Sequence, residues 1–244
     1  VVTNLGAVTN NVDQPVGEPL EWQPAARPLR LEHRGRHVVL RPLDPAADAD
    51  ALYALSHEPT GDPSIWTYLY DQPFATVDAY RDYLQERATS ADPLVFVITD
   101  AHDGRQLGQL TYMSIEPDHG SIELGSIWFS PELQRTPAAT ETIFLLTAHA
   151  FDDLGYRRLE WKCNALNEAS RNAALRYGFL YEGLFLQHRV VKGRNRDTAW
   201  FALTDKRWPA VKAAFETWLA AENFKPDGLQ VRSLRELTGA IAAN

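Results

Sequence analysis

The sequence predicts a mixed α+β domain, a central sheet flanked by helices. Three observations predict it. Residues 94–129 hold three strand-like runs in succession (94–99, 106–115 and 121–129), broken by the hairpin signal Asp103–Gly104 and a turn at 117–120. A long apolar run, 137–154, follows behind Thr136 and Pro137, a pair suited to the N-cap and first position of a helix. The whole order reads strand, two helices, three-strand meander, long helix, strand, short helix, hairpin, helix, which is a layered α+β arrangement.

Taken in order, residues 1–35 form an extended N-terminal arm, with Pro15, Pro19, Pro24 and Pro28 breaking any period and the short run 14–22 a candidate to pack on the domain. Residues 37–43 alternate as a strand. Residues 45–57 are helical, with Asp44 as N-cap and Leu52 and Leu55 on one face. Residues 58–74 form a loop rich in Pro, Gly and aromatics, either a wall of an acceptor pocket or a small satellite core. Thr76 caps a second helix to residue 88, and the meander follows. The helix 137–154 is apolar nearly all round, so it belongs in the body of the fold, with Gly155 ending it. A strand at 157–164, a short helix capped by Asn167 and ended by Gly178, and strands at 179–192 and 196–203 come next. A helix over 205–223 closes the domain. The organisation is thus arm 1–35, one domain 36–222 and a C-terminal tail 223–244.

Composition excludes several classes. No window approaches the ~18 apolar residues of a membrane span, and the N-terminus lacks a signal-peptide pattern. The single Cys163 excludes an internal disulfide framework and fits a reducing cytoplasm. A net charge of −8 argues against nucleic acid as partner and leaves room for cationic substrates. The histidines show no HExxH, and the one i,i+4 pair, His33 and His37, straddles Gly35 in a non-helical region, so no metal is expected. There is neither a GxSxG elbow nor a GxGxxG after the first strand.

The stretch 129–141, FSPELQRTPAATE, carries the first chemistry. A strand enters it, the chain turns, and a helix starts with free N–H groups facing the turn. Such a helix start binds anions, phosphate above all. A well-capped helix with no ligand is the alternative reading of this stretch alone.

Two stretches taken together are similar to a known family: QRTPAATE (134–141), and NALNEAS (164–170) running on to Arg176, Gly178, Phe179, Glu182 and Gly183. The chain resembles the GNAT superfamily of acyl-CoA-dependent N-acetyltransferases over about residues 37–218, and most of all its RimJ/RimL-like ribosomal-protein branch. The resemblance implies the GNAT fold, acetyl-CoA as cosubstrate, and acetyl transfer to a primary amine by direct attack in a ternary complex. It implies cofactor contacts at Gln134, Arg135, Thr136, Ala138, Ala139 and Thr140, at Asn167 and Ser170, and at main-chain N–H groups of Ile127 to Phe129. Pro137 stands where the family has Gly. It removes one N–H and predicts a pyrophosphate site of changed geometry. Ala174 stands where many members carry a Tyr acid, which leaves Ser170, with Tyr177 as a further candidate, facing the CoA sulfur. These two departures keep open a GNAT-fold module that binds acyl-CoA or a partner without turnover.

Acetyl transfer needs a base for the amine, a donor for the developing oxyanion and a hydrogen bond for the thiolate. Glu123 is the expected base: with Ile122 and Leu124 facing the core, it faces the other way. An ion-paired structural Glu is the alternative. Asp197 and His188 are further acid–base candidates, and a turn-stabilising role competes for Asp197. Arg135, Arg171, Lys192 and Arg194 are cations that could meet CoA phosphates. The expected partner is an amine-bearing small molecule or a protein N-terminus; a homodimer is left open, and no membrane partner is expected.

Overall fold

A computed structural model describes residues 7–10, 12 and 14–241. The ends of the expected arm and tail, 1–6 and 242–244, lie outside the described residues, as do 11 and 13. In chain order the strands and helices are β1 (Ala7–Thr9), β2 (Pro15–Gly17), β3 (His33–Arg34), β4 (Val38–Pro42), α1 (Pro45–Ser56) and α2 (Val77–Thr89). Then come β5 (Leu94–Asp100), β6 (Gln106–Glu116), β7 (Ser121–Phe129), α3 (Pro137–Ala148), β8 (Arg158–Asn164) and α4 (Glu168–Arg176). The chain closes with β9 (Leu180–Val191), β10 (Arg194–Thr204), α5 (Trp208–Leu219) and α6 (Leu234–Gly239).

One eight-stranded sheet, ordered β3-β4-β5-β6-β7-β8-β10-β9, carries the domain. Its neighbours are antiparallel except β7 and β8, which α3 joins as a parallel pair. β5 shows why the sheet is layered on both sides. Leu94, Phe96 and Ile98 enter a core shared with α3 and α5, while Val95 and Val97 enter a second cluster with α1 and α2. Its unbroken apolar run is what a strand buried on both faces requires. Each such fully buried side chain contributes about 1.5–3 kcal/mol.

The 58–74 loop divides its aromatics between a satellite core and a cleft. Trp66 and Phe74 pack with Tyr80 in the second cluster, whereas Tyr68 and Tyr70 reach the cleft described below. His57 pins the loop: its Nε2 accepts from Phe74 N at 2.9 Å, and Trp66 Nε1 donates to Ser56 O at 2.7 Å.

The long helix needs correction, and the arm and tail are more closely docked than their patterns alone required. The long helix stops at Ala148 and continues as a π turn over His149–Asp153, where Leu154 N donates to His149 O. Tyr112 Oη donates to Leu146 O in the last helical turn, a side-chain insertion of the kind that reshapes helices. The arm contains a β1–β2 pair and is then tied down, with Trp22 Nε1 donating to Asp118 O and Ala26 N to Leu154 O. The tail packs on α4 and α5 and hardly behaves as an appendage. Leu234 is wholly buried, Trp218 Nε1 donates to Gln230 Oε1 at 2.7 Å, and Arg232 N donates to Asn223 Oδ1.

Candidate active site

β7 and β8 pair only from Ser121 to Glu123, opposite Arg158 to Glu160, and then separate. The cause lies on the other edge of β7, where the register against β6 slips between Gln109 and Thr111 and Ser126 takes a φ of 47°. An extra residue in one strand bends it away from its neighbour. The opened wedge is a cleft of about 1120 Å³. Its β7 wall, including Ile127 and Phe129, keeps main-chain groups that β8 does not pair.

At one end of the wedge lies the turn into α3. Thr136 is the N-cap: its Oγ1 accepts from Ala139 N at 3.2 Å and donates to Leu133 O at 2.6 Å. Pro137 sits at the first helical position, where an N–H would have had no intrahelical partner. Arg135 has a φ of 63°, which turns successive N–H groups toward one side. Of the five donors expected here, Ala139 and Thr140 N–H are taken by Thr136, the latter at 3.4 Å. Those of Arg135, Thr136 and Ala138 meet no protein acceptor among the described residues. Gln134 closes the turn through Nε2 to Phe129 O at 3.0 Å.

The opposite wall is α4. Asn167 Oδ1 caps it by accepting from Ser170 N at 3.0 Å, and both residues line the cleft. Trp161 Nε1 donates to Ser170 Oγ at 2.9 Å, so the hydroxyl keeps its own proton to donate. Ala174 is buried in the core, whereas Tyr177 lines the cleft while stacking on Phe215. Burial raises the Tyr177 phenol, partly offset by Arg176 and Thr140.

Glu123 is buried in the wedge, with Ile122 and Leu124 in the core behind it. Its Oε2 accepts from Lys162 Nζ at 2.8 Å and from Ser114 Oγ at 3.0 Å. Oε1 takes no protein donor among the described residues. Burial pushes the carboxyl above its ordinary value, and Lys162 and Ser114 offset part of that. Burial alone would lower Lys162, but Glu123 and Glu160, 2.7 Å away, outweigh it and hold the ammonium.

Asp197 does not join this group. Arg196, Thr198 and Trp200 of β10 line the cleft, and the alternation of a strand turns Asp197 away. Its carboxylate instead accepts from Gln187 N at 2.7 Å and Asn195 Nδ2 at 2.9 Å, bracing the hairpin. His188 does line the cleft, with Nδ1 3.0 Å from Thr198 Oγ1. Among the expected phosphate-facing cations only Arg135 is on the cleft. Arg171 lies on a separate hollow, Lys192 donates to Trp66 O, and Arg194 is exposed on the hairpin.

A family model described as an acetyltransferase (GNAT) domain matches residues 37–180. The chain belongs to the GNAT acetyltransferase family. GNAT acetyltransferases use acetyl-CoA, and the free N–H groups at the start of α3 suit its pyrophosphate. A GCN5-related N-acetyltransferase from Brucella melitensis is 44% identical and superposes with a TM-score of 0.85, over 90% of this chain and 99% of that one. YdaF of Bacillus subtilis, which carries the name of a ribosomal N-acetyltransferase, is 25% identical over 72% of this chain and 96% of its own length. RimL, a ribosomal L7/L12 α-N-protein acetyltransferase solved with coenzyme A, shares the fold at 22% identity and a TM-score of 0.59, over 70% and 95% of the two chains.

Arg176, named above only as part of a motif, donates to Thr140 Oγ1 at 3.0 Å and stacks over Trp218, joining the turn into α3 to α5. The GNAT cleft also draws on residues the sequence did not single out. Phe224, Gly228, Leu229 and Arg235 of the tail complete the wall. Lys162 was visible only as one charge in an alternating strand, and nothing local linked it to Glu123.

Proposed function

We propose that this enzyme transfers the acetyl group of acetyl-CoA to a primary amine by direct attack, with donor and acceptor held together in the wedge between β7 and β8. The observation that carries this reading is Glu123: a buried carboxylate with one oxygen held by Lys162 and Ser114 and the other free in the cleft. Oε1 accepts the proton of the incoming ammonium, directly or through water, and the raised proton affinity suits that task. Arg135, Thr136 and Ala138 N–H groups hold the pyrophosphate. When bound, acetyl-CoA supplies a thioester-activated acetyl group. Main-chain N–H groups around Ile127 to Phe129 donate to its developing oxyanion, and Ser170 Oγ donates toward the sulfur. Positioning both partners in one wedge supplies much of the rate.

A protein N-terminus is among the acceptors this reading covers, in keeping with the names of YdaF and RimL. The buried lone thiol of Cys163 suits a reducing cytoplasm. The test is thiol release from acetyl-CoA against a panel of peptides and small amines. Turnover that depends on an amine supports the reading, and its failure across the panel overturns it.

A further inference from the structure

Arg196 of β10 is 6% exposed and lines the cleft, yet its Nε and Nη1 have no hydrogen-bond partner among the described residues. The guanidinium sits over the Tyr70 ring at 4.4 Å, which compensates only part of the loss of water around a permanent cation. Asp197, its neighbour in sequence, is committed to Gln187 and Asn195. The Trp200 indole N–H, on the same wall, is also buried without an acceptor. Buried, unpartnered donors on two side chains of one wall, Arg196 and Trp200, describe a site for an anion.

The charge of the cleft agrees. Glu123 is the one acid among its described lining residues, against Arg135, Lys162, Arg176, Arg189, Arg196 and Arg235. Arg135 and Arg176 belong to the phosphate turn, and Lys162 is paired with Glu123 and Glu160. Arg196 lies at the other end, between the aromatic loop and the β9–β10 hairpin, where the acceptor enters. The cationic lining adds a preference for an anion to the room that net charge left for an amine.

Resting on the acetyltransferase reading, we infer that the acceptor carries a carboxylate that Arg196 receives while its amine faces Glu123. The spacing limits which acceptors fit. Trp200 stands opposite Lys162, the partner of Glu123, and Arg196 is four residues further along β10. At ~3.3 Å per residue that is about 13 Å between Cα positions. The long Arg196 side chain covers part of that span, so an α-amino acid, with its two charges on one carbon, is the poorest match. A peptide N-terminus with an acidic residue in its second or third position, or a long ω-amino acid, comes closer, the arginine side chain covering the remainder.

The test pairs acceptors that differ only in the anion: the peptide amides Ser-Glu-Glu-Ala and Ser-Gln-Gln-Ala, and 6-aminohexanoate with hexylamine. The wild type is expected to favour the acidic member by tenfold or more in kcat/KM, and the pair with the larger ratio identifies the source as peptide or small molecule. In Arg196→Met the ratio collapses toward one, and Arg196→Lys restores part of it. Glutarate, a dicarboxylate with no amine, should raise the melting temperature of the wild type and not of Arg196→Met. A wild type indifferent to the anion, or an unchanged preference in Arg196→Met, overturns the inference. The glutarate measurement needs no turnover, so a failure of the anion site is distinct from a failure of the acetyltransferase reading.

Discussion

Glu123 carries the environment that the proposed base requires. Burial raises its proton affinity, while Lys162 and Ser114 hold Oε2 and leave Oε1 free. Because the base must be ionised, the acid limb of kcat/KM should lie above the usual carboxylate range. Glu123→Gln keeps size and hydrogen bonding and cannot take a proton. It should cost about 10²–10⁴-fold in kcat/KM near neutral pH, shrinking at high pH where the amine deprotonates unaided. The sign for stability is opposite to that of a paired surface acid. A carboxyl raised in the folded state favours folding below its unfolded pKa, and that contribution is lost as pH rises through the folded value. The variant should therefore melt no lower than wild type at pH 7, and a pH–rate profile beside a melting curve reads both outcomes. Ser170 gives a second residue-scale expectation. Its hydroxyl accepts from Trp161 and keeps a proton to donate, so under the proposed mechanism Ser170→Ala should lower kcat while calorimetry finds CoA affinity nearly unchanged. Equal losses in both would make Ser170 a binding residue and move the sulfur contact to Tyr177.

Among the elements, Glu141 ties α3 to the first strand of the domain. Its carboxylate accepts from Arg36, His37 and Val38 N–H at 2.8, 2.6 and 3.0 Å. A side chain at Gly35 would collide with that carboxylate, so the backbone must come this close without a Cβ. The C-terminal segment is an element of the same kind, docked by Leu234 against the core and by Asn223 and Gln230 to its own neighbours. Leu234→Ala should cost about 2–5 kcal/mol in urea unfolding, the range for a buried leucine. A cost below about 0.5 kcal/mol, typical of surface positions, would return the segment to the status of a loose tail.

For the whole molecule, the wedge is a consequence of topology. The parallel β7–β8 pair needs a crossover helix, and the bulge in β7 opens the pair just where that helix starts. The cleft therefore draws on β7, α3, α4 and the tail, elements from distant parts of the chain. CoA should stabilise the folded state as a unit, by about 2.7 kcal/mol at a hundred times its Kd. A thermal shift series checks this, and no shift at millimolar CoA would exclude the turn into α3 as the pyrophosphate site. Among the described residues no helix is long and apolar enough to cross a membrane.

What the sequence determined by itself was local. Apolar periods of two and of 3.6, the caps Asp44, Thr76, Thr136 and Asn167, and the turn signals depend on neighbours a few residues apart, and each is found where the pattern puts it. The orientation of Glu123, opposite Ile122 and Leu124, was legible for the same reason: strand alternation is a property of adjacent residues. The family motifs were legible because each lies on one turn and one helix start. The tertiary structure alone decided which charges meet. Lys162 reaches Glu123 across 39 positions and Glu141 reaches Val38 across 103, distances over which no local pattern carries information. It also decided that Asp197 turns outward while Arg196 turns in, since the hairpin's position beside β8 sets which face of β10 meets the cleft. A buried cation without a partner has no signature in a sequence, because burial and pairing exist only once distant segments are packed together.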